Sequence, residues 1–181
     1  MESGLSEPRD YNPPMPTLTF ETIVQASLDD VWAFHEDVRR ALPALSPPEA
    51  RVRIESADLP VQAGSRIVII AAGPLGRRIR WVARIVEHRP PHPVVFGEEA
   101  RFVDEQESGP FAAWRHEHDF DRVDANTTRI TDRIAYRVPL GPLGWLADVL
   151  FVRRQIRAMF RHREAVMARL VAEHAAGGTG G

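Results

Sequence analysis

Two runs of residues near the middle of the chain alternate strictly between two kinds of side chain, and this alternation restricts the fold more than any other feature. The runs cover residues 114–120 and 129–138. A period of two predicts β-strands with two unlike faces. One face is charged, as on a solvated surface, whereas the other mixes apolar and polar groups. The residues of this mixed face are Trp114, His116, His118 and Phe120 in the first run, and Ile130, Asp132, Ile134, Tyr136 and Val138 in the second.

The segment between the two runs predicts how they pair. Asp124-Ala125-Asn126 fits a three-residue hairpin loop, with Asn126 in the left-handed conformation that asparagine tolerates. In that register His118 lies opposite Asp132, and directly opposed Cβ atoms are about 4.5–5.5 Å apart. We therefore predict a hydrogen-bonded pair between these two side chains on the inner face of the sheet. The same register pairs Phe120 with Ile130, His116 with Ile134 and Trp114 with Tyr136.

Composition excludes several classes of protein. With 181 residues, the chain is long enough for one domain with its own core. Its net charge of −2, from 23 basic and 25 acidic residues, gives no reason to expect a nucleic-acid partner. The lack of cysteine excludes disulfides and thiolate metal sites. No apolar run approaches the roughly 20 residues of a membrane span, and the first residues do not resemble a signal peptide. We therefore expect a cytoplasmic protein without stable membrane insertion.

Hydrophobic patterning predicts the element order β-α-α-β6-α. A strand at Thr17–Gln25 is followed by a short helix that starts at Ser27, where S-x-x-D resembles a capping box, and by a second short helix. Six strands with short connections follow, which favours an antiparallel sheet, and one of them covers Val94–Gln106. We expect a disordered arm at residues 1–16, one domain at residues 17–174 and a flexible glycine-rich tail at residues 175–181.

The last element is a long helix with an apolar stripe on one side. Arg153, Arg154, Arg157, Arg161 and Arg163 crowd largely the other side. They could hold an anionic membrane surface, a nucleic acid or a partner. A solvated face paired with acidic residues is favoured, because the whole chain is slightly acidic. The stripe consists of Leu146, Val149, Val152, Ile156, Met159, Phe160, Val166, Met167 and Leu170.

The predicted sheet and terminal helix have a geometric consequence. A strongly curved antiparallel sheet around one long helix cannot bring every inner side chain into contact with that helix. We therefore predict a space between them, and a concave, mostly apolar space with a few polar groups is typical of a small-molecule site.

The element order, together with S-L-D-D-V-W-A-F near the start, resembles the SRPBCC superfamily (START/Bet v 1/polyketide cyclase-like). The run F-x-D-x-Q-x-x-G-P-F-x-x-W-x-H-x-H-x-F, followed by T-x-x-x-D-x-x-x-Y-x-x-P, is similar to one bacterial branch of that superfamily. Members of this branch stand alone or are fused to epimerase-like nucleotide-sugar domains. The resemblance covers about Thr17 to Glu173 and implies an α+β helix-grip fold, with a curved antiparallel sheet of about seven strands wrapped around a long C-terminal helix.

The resemblance also implies a partner and a set of site residues. Members of the superfamily bind lipids, hormones and polyketides, and only some are catalysts, so the implied partner is an apolar small molecule. In the matching positions, Asp104, Gln106, Trp114, His116, His118, Asp132 and Tyr136 are implied to face the cavity. The aromatic residues Trp81, Phe102, Trp114, Tyr136 and Phe160 would form a wall for a flat aromatic or isoprenoid ligand, although each taken alone is more often a core residue.

Several interpretations of the two histidines stay open. They are core histidines satisfied by Asp132 and nearby groups, the polar end of a ligand cavity, or a catalytic pair in which His116 or His118 is the general base and Asp132 fixes its tautomer. For metal binding, H-x-H supplies two ligands and Asp132 or Asp104 could be a third. No further histidine cluster supports such a site, so we expect no metal and no cofactor.

Three functions follow from these interpretations. The first is a carrier or sensor that encloses an apolar small molecule, with the group His116, His118, Asp132 and Tyr136 at its polar end. The second is an enzyme of cyclase, dehydratase or hydrolase type that uses the same group for proton transfer without a metal. The third is an interaction module with a collapsed interior that acts beside an epimerase-like or other partner. We favour the first, which requires no catalysis.

Overall fold

The computed structural model describes residues 15–73, 76–91 and 100–178. Within these ranges, seven strands form one antiparallel sheet in the order β1-β7-β6-β5-β4-β3-β2. Each strand except β1 pairs with its neighbour in sequence, as short connections require, and β1 closes the far edge by pairing with β7. The strands are β1 (Thr17–Val24), β2 (Arg53–Ala57), β3 (Arg66–Ala72), β4 (Arg78–Arg89), β5 (Ala100–Ser108), β6 (Ala113–Asp124) and β7 (Thr127–Arg137).

The helices come in two groups, one after β1 and one at the end of the chain. The first of them begins where the capping pattern predicts, because the Ser27 hydroxyl accepts the backbone N–H of Asp30 at 3.2 Å and donates to the Asp30 carboxylate at 2.6 Å. The helices are α1 (Leu28–Glu36), α2 (Val38–Ala44), α3 (Gly141–Ala147) and α4 (Arg153–Gly178), with a 3-10 turn at Pro48–Ala50 and a π-helical turn at Asp148–Val152.

The pairing of β6 with β7 confirms the predicted register. His118 lies opposite Asp132 on the inner face, and the other three predicted pairs form as well. The turn that sets this register differs from the prediction. Asp124 pairs with Thr127, so the loop has two residues instead of three, and the register shifts between Arg122 and Asp124. This β-bulge adds back the residue that the shorter loop removes, so the pairing beyond it is the predicted one.

Three further details of the sequence prediction change. Asn126 does not adopt the left-handed conformation: among the described non-glycine residues, positive φ values occur at Arg51 and Leu140. The strand predicted at Val94–Gln106 begins at Ala100 and continues to Ser108, and residues 94–99 lie outside the described ranges. At the end of the chain α4 continues to Gly178, so the helix includes residues that were expected in the tail. Residues 1–14 and 179–181, where the arm and the end of the tail were predicted, lie outside the described residues.

The C-terminal helical region buries a stripe that differs from the predicted one at its beginning. Ile156, Phe160, Met167 and Leu170 are buried as predicted, whereas Leu146 and Val149 are 47% and 42% exposed. Gly144 and Asp148 are buried in their place. The reason is the π-helical turn between α3 and α4, in which more residues are needed per turn than in an α-helix. This turn changes which side of the helical region faces the core. A stripe extended backward from α4 at 3.6 residues per turn therefore falls on the exposed side of α3.

The core lies mainly on one half of the concave sheet. Residues of α4 pack with α1 and with β6 and β7, and the Phe160 ring of α4 stacks on Phe20 of β1 at 4.3 Å. On the other half, a smaller cluster of Val38, Ile67 and Ile85 joins α2 to β3 and β4. The curved sheet and the long terminal helix therefore form the α+β helix-grip arrangement that the element order indicates.

The opposite faces of β5, β6 and β7 carry the charged residues of the alternating runs. They are more closely paired than a freely solvated surface: Arg101 contacts Asp119 and lies 3.0 Å from Glu117 and 3.1 Å from Glu87. Across residues 15–73, 76–91 and 100–178, none of the helices combines the length and the apolar character that crossing a bilayer demands.

Candidate functional site

A cavity of about 250 Å³ lies between the sheet and the helices, on the half of the concave face where the core is thin. Its walls come from α1, α2, α4 and four neighbouring strands, β3 to β6. Alternation places one residue in two of each strand on the inner face, and in β3 and β4 most of these residues are apolar, such as Ile67, Ile69, Ala71 and Ala83, with His88 at the end of β4 as a polar one. The polar lining residues from the strands include Asp104 of β5 together with His116 and His118 of β6.

Both histidines contact the same carboxylate oxygen behind the cavity wall. His116 Nε2 lies 2.9 Å from Asp132 Oδ1 with hydrogen-bond geometry. His118 Nδ1 lies 2.8 Å from the same oxygen, but its N–H direction does not align for a hydrogen bond. The aligned hydrogen bond to Asp132 is therefore made by His116 and not by His118, for which it was predicted. Pairing in the ladder fixes the Cβ separation, whereas the side-chain torsions decide which ring reaches the oxygen.

Asp104 of β5 approaches the two rings from the other side. Its Oδ2 lies 3.6 Å from His116 Nδ1 and 3.6 Å from His118 Nε2. The two imidazole centroids are 3.7 Å apart, because residues i and i+2 of one strand share a face. The side chain of Asp132 is 2% exposed, those of both histidines are 7% exposed and that of Asp104 is 16% exposed. The four groups thus form one nearly dry cluster at the cavity wall.

Two further charged or titratable residues complete the cluster, and the sequence prediction missed both. Arg163 Nη1 of α4 lies 3.6 Å from Asp132 Oδ1, and its guanidinium sits 4.7 Å from the Phe160 ring centroid. Arg163 is buried, so placing it with the arginines of the outer face was wrong. Its spacing of three from Phe160 and four from Met167 continues the apolar stripe, and this signal could have found it. His35 of α1 is also buried and lines the cavity.

Burial and neighbouring charges separate the pKa values of the three histidines. Burial lowers the pKa of His35 to about 3, against a smaller opposing effect of the bond from its Nδ1 to the Val31 carbonyl. Burial also lowers the pKa of His116, assisted by the charge of His118. Burial alone would lower the pKa of His118, but the Asp132 and Asp104 carboxylates outweigh it and the pKa is raised. Burial would raise the pKa of Asp132, yet the adjacent imidazoles hold it well below its ordinary value.

The structure brings six of the ten sequence-predicted ligand residues to the cavity and leaves four elsewhere. Asp132 lies behind the histidines. Gln106 binds the backbone of Phe111, donating from Nε2 to the carbonyl at 2.8 Å and accepting from the N–H at 3.2 Å. Tyr136 is fully buried and donates to Asp148 Oδ1 at 2.6 Å, and burial with this bond raises its pKa to about 12. Phe160 packs in the core. The six that line the cavity are Trp81, Phe102, Asp104, Trp114, His116 and His118.

The family of the protein follows from a match to its sequence. A family model described as polyketide cyclase / dehydrase and lipid transport matches residues 24–163. The chain belongs to this family. No curated protein matches the chain significantly.

Solved structures with low sequence identity share the fold. A protein from Arthrobacter aurescens is 16% identical, with a TM-score of 0.63, over 87% of this chain and 86% of its own. A START superfamily protein from Mycobacterium smegmatis is 13% identical, with a TM-score of 0.60, over 87% of this chain and 97% of its own. The Zhui aromatase/cyclase from Streptomyces sp. R1128 is 17% identical, with a TM-score of 0.58, over 89% of this chain and 94% of its own. These similarities support the helix-grip fold, and the family match supports the SRPBCC assignment.

Proposed function

We propose that the protein binds an apolar small molecule, of lipid, polyketide or aromatic/isoprenoid type, in the cavity between the sheet and the helices. The observation that carries the proposal is the cavity of about 250 Å³, whose walls are mostly apolar and whose polar groups include the cluster of Asp104, His116 and His118. A concave, mostly apolar site with a few convergent polar groups is the usual design of a small-molecule site. The name of the family and the aromatase/cyclase among the similar structures favour the same ligand classes. We also propose a cytoplasmic location, which the cysteine-free sequence fits.

The arrangement of the lining suggests how a ligand would be held. Phe102 stacks on the His118 ring with centroids 4.0 Å apart, and Trp81 meets Trp114 edge to face at 4.9 Å. These rings offer flat apolar surfaces on both sides of the polar cluster. A carbonyl or hydroxyl of the ligand would bond to His116 or His118, while its apolar body lies against the rings and the aliphatic residues of β3 and β4. A cavity of this size fits a ligand-binding protein better than an interaction module, which was expected to have a collapsed interior.

Two neighbouring alanines of β3 allow a matched test. Ala71 lines the cavity, whereas Ala72 points to the opposite face and is exposed. We expect Nile red, a flat uncharged dye, to bind the wild-type protein with a rise in fluorescence. Ala71→Phe should weaken this binding at least tenfold, because the ring occupies the space of the dye. Ala72→Phe should leave it unchanged.

The measurement is a fluorescence titration of each variant, with circular dichroism to show that each is folded. Equal binding by both variants would place the dye on another surface and contradict the proposal. Absence of dye binding to the wild type, together with no binding of fatty acids or aromatic polyketides by calorimetry, would also contradict it.

A second candidate function is proton transfer by the same cluster, as in a cyclase or dehydratase. It is favoured by the contact of the two imidazoles at the cavity wall, with centroids 3.7 Å apart, and by the directions of their pKa shifts, which make His118 the stronger base and His116 the weaker one. An enzyme would lose turnover of a polyketide substrate in His118→Ala while dye binding persists. A carrier would show no turnover in either form.

A further inference from the structure

The two imidazoles at the cavity wall each divide their nitrogens between two carboxylates. His116 Nε2 and His118 Nδ1 approach Asp132 Oδ1 at 2.9 and 2.8 Å. The other nitrogens, His116 Nδ1 and His118 Nε2, both approach Asp104 Oδ2, each at 3.6 Å. Three ligand atoms from three side chains on two adjacent strands thus converge in front of the rings, with a carboxylate behind them.

The separation of 3.6 Å is too long for hydrogen bonds, which lie at about 2.7–3.2 Å. It is close to the distance between two ligands of one metal ion, because donors about 2.0–2.2 Å from zinc lie roughly 3.0–3.5 Å apart at tetrahedral or octahedral angles. Asp104, His116 and His118 each bring one such atom to within 4.8 Å of one another. Side-chain rotations that bring the two imidazole nitrogens to this separation would allow all three to bind the same ion.

We propose that Asp104, His116 and His118 bind one divalent first-row transition-metal ion at the cavity wall, with Asp132 orienting both imidazoles from behind. Two imidazoles and one carboxylate suit Zn²⁺, Fe²⁺ or Co²⁺, whereas Mg²⁺ and Ca²⁺ prefer a set of oxygen ligands. Histidine ligands of metals generally direct their second nitrogen to a carboxylate or carbonyl, which fixes the tautomer. Asp132 Oδ1 occupies that position for His116 through an aligned hydrogen bond, and it lies 2.8 Å from His118 Nδ1, where a ring rotation would align a second bond.

Charge and burial also fit a cation. Asp104 and Asp132 bring two carboxylates to the cluster and Arg163 brings one guanidinium. With both imidazoles neutral, as metal ligands must be, the two carboxylates exceed the guanidinium by one charge. A divalent ion compensates this charge in a place where Asp132 and the histidines are almost dry. Within the described residues, the carboxylate that Arg163 approaches is the rear one, that of Asp132, and its guanidinium also lies on the Phe160 ring.

The inference revises the sequence expectation of no metal. That expectation depended on the lack of a further histidine cluster, and the third ligand comes instead from Asp104 on the neighbouring strand. All three ligand residues line the cavity, so the ion would keep open coordination positions toward it. An oxygen of the bound small molecule could occupy one of them. This last step alone rests on the proposed function.

The test uses the full chain without an affinity tag, treated with a chelator and then titrated with Co²⁺ and, by calorimetry, with Zn²⁺. We expect one ion per chain and visible Co²⁺ absorption bands of a site with nitrogen ligands. Asp104→Asn and His118→Gln should weaken binding more than about a hundredfold, and Asp132→Asn about 10–100-fold, as for other second carboxylates of metal sites.

His88→Gln is the matched control. His88 lines the same cavity, but its Nε2 lies 3.0 Å from Glu36, away from the cluster. This variant should bind Co²⁺ like the wild type. Asp104→Asn keeps the shape of the side chain, so it stays informative even where a histidine variant fails to fold.

Lack of saturable binding by the wild type would overturn the inference, and so would equal binding by Asp104→Asn and the wild type. The Nile red titration is an independent readout. Metal binding without dye binding would contradict the proposed function and support the metal site. Dye binding without metal binding would support the proposed function and contradict the metal site.

Discussion

His35 shows how a single buried group can govern the pH dependence of stability. Its native pKa is about 3, against 6.5 for an ordinary histidine. Below pH 6.5 the unfolded chain takes up a proton that the folded protein does not. The free energy of unfolding therefore decreases as the pH is lowered, by about 1.4 kcal/mol per pH unit between pH 6.5 and about 3. At neutral pH this loss is absent.

His35→Gln should remove this pH dependence while keeping a donor for the Val31 carbonyl. We expect the difference in unfolding free energy between wild type and variant to fall by about 2 kcal/mol from pH 7 to pH 5. Urea unfolding at several pH values, with chelator present, measures it. The charged neighbours Arg163 and Asp132 and the adjacent His118 are common to both proteins. A constant difference between the two proteins at all pH values would contradict the prediction.

At the residue scale, the sequence predicts which residues lie opposite each other in the sheet better than which side chains form hydrogen bonds. The alternating runs and the expected turn place His118 opposite Asp132, and the pairing is the predicted one because a β-bulge compensates for the shorter loop. They could not predict that His116 makes the aligned bond, because ladder pairing does not determine ring rotation. Arg163 shows a second limit. Arginine usually indicates a surface position, and the burial of Arg163 depends on how α4 is rotated over the sheet.

Among the helices, α3 depends on the absence of a side chain at one position. A Cβ on Gly144 would lie 2.0 Å from the Pro139 carbonyl oxygen, which belongs to the backbone and cannot move aside alone. We expect Gly144→Ala to displace α3 and to lower the free energy of unfolding by about 1–3 kcal/mol, as for other overpacked sites. Chemical unfolding followed by circular dichroism measures it.

Gly177 near the end of α4 provides the control. A Cβ there would come no closer than 4.0 Å to Arg40 Nη1, and its position is helical. Gly177→Ala should leave stability unchanged or raise it by up to about 1 kcal/mol, because alanine favours the helix. Similar losses in both variants would show that the close approach at Gly144 is not the cause.

At the element scale, the periodic segments were predictable and the irregular ones were not. The stripe from Ile156 to Leu170 follows from its spacing. The π-helical turn at Asp148–Val152 carries no equivalent signal. Its first residue, Asp148, accepts a hydrogen bond from Tyr136 of β7, and this contact with another element is not contained in the hydrophobic pattern of the helix.

At the scale of the whole molecule, the cavity results from unequal coverage of the sheet. The aromatic and aliphatic residues of α4 fill the half formed by β1, β7 and β6, while α2 and its small cluster cover the half formed by β3 and β4. The sequence predicted a space between sheet and helix, and the family resemblance implied one. Its place and its size depend on sheet curvature and on the rotation of α4, which no local pattern contains.

This unequal coverage implies that filling the cavity should stabilise the protein and remove its response to a ligand. Ala71→Phe places a ring in the void, so we expect the free energy of unfolding without ligand to rise by about 0.5–2 kcal/mol. Nile red at a hundred times its Kd should stabilise the wild type by about 2.7 kcal/mol. The dye should stabilise Ala71→Phe much less than the wild type, and it should stabilise Ala72→Phe as much as the wild type. Thermal unfolding with and without dye separates these cases. Equal stabilisation of all three proteins would mean that the dye binds outside the cavity, for example on the exposed apolar residues of α3 such as Leu143 and Trp145.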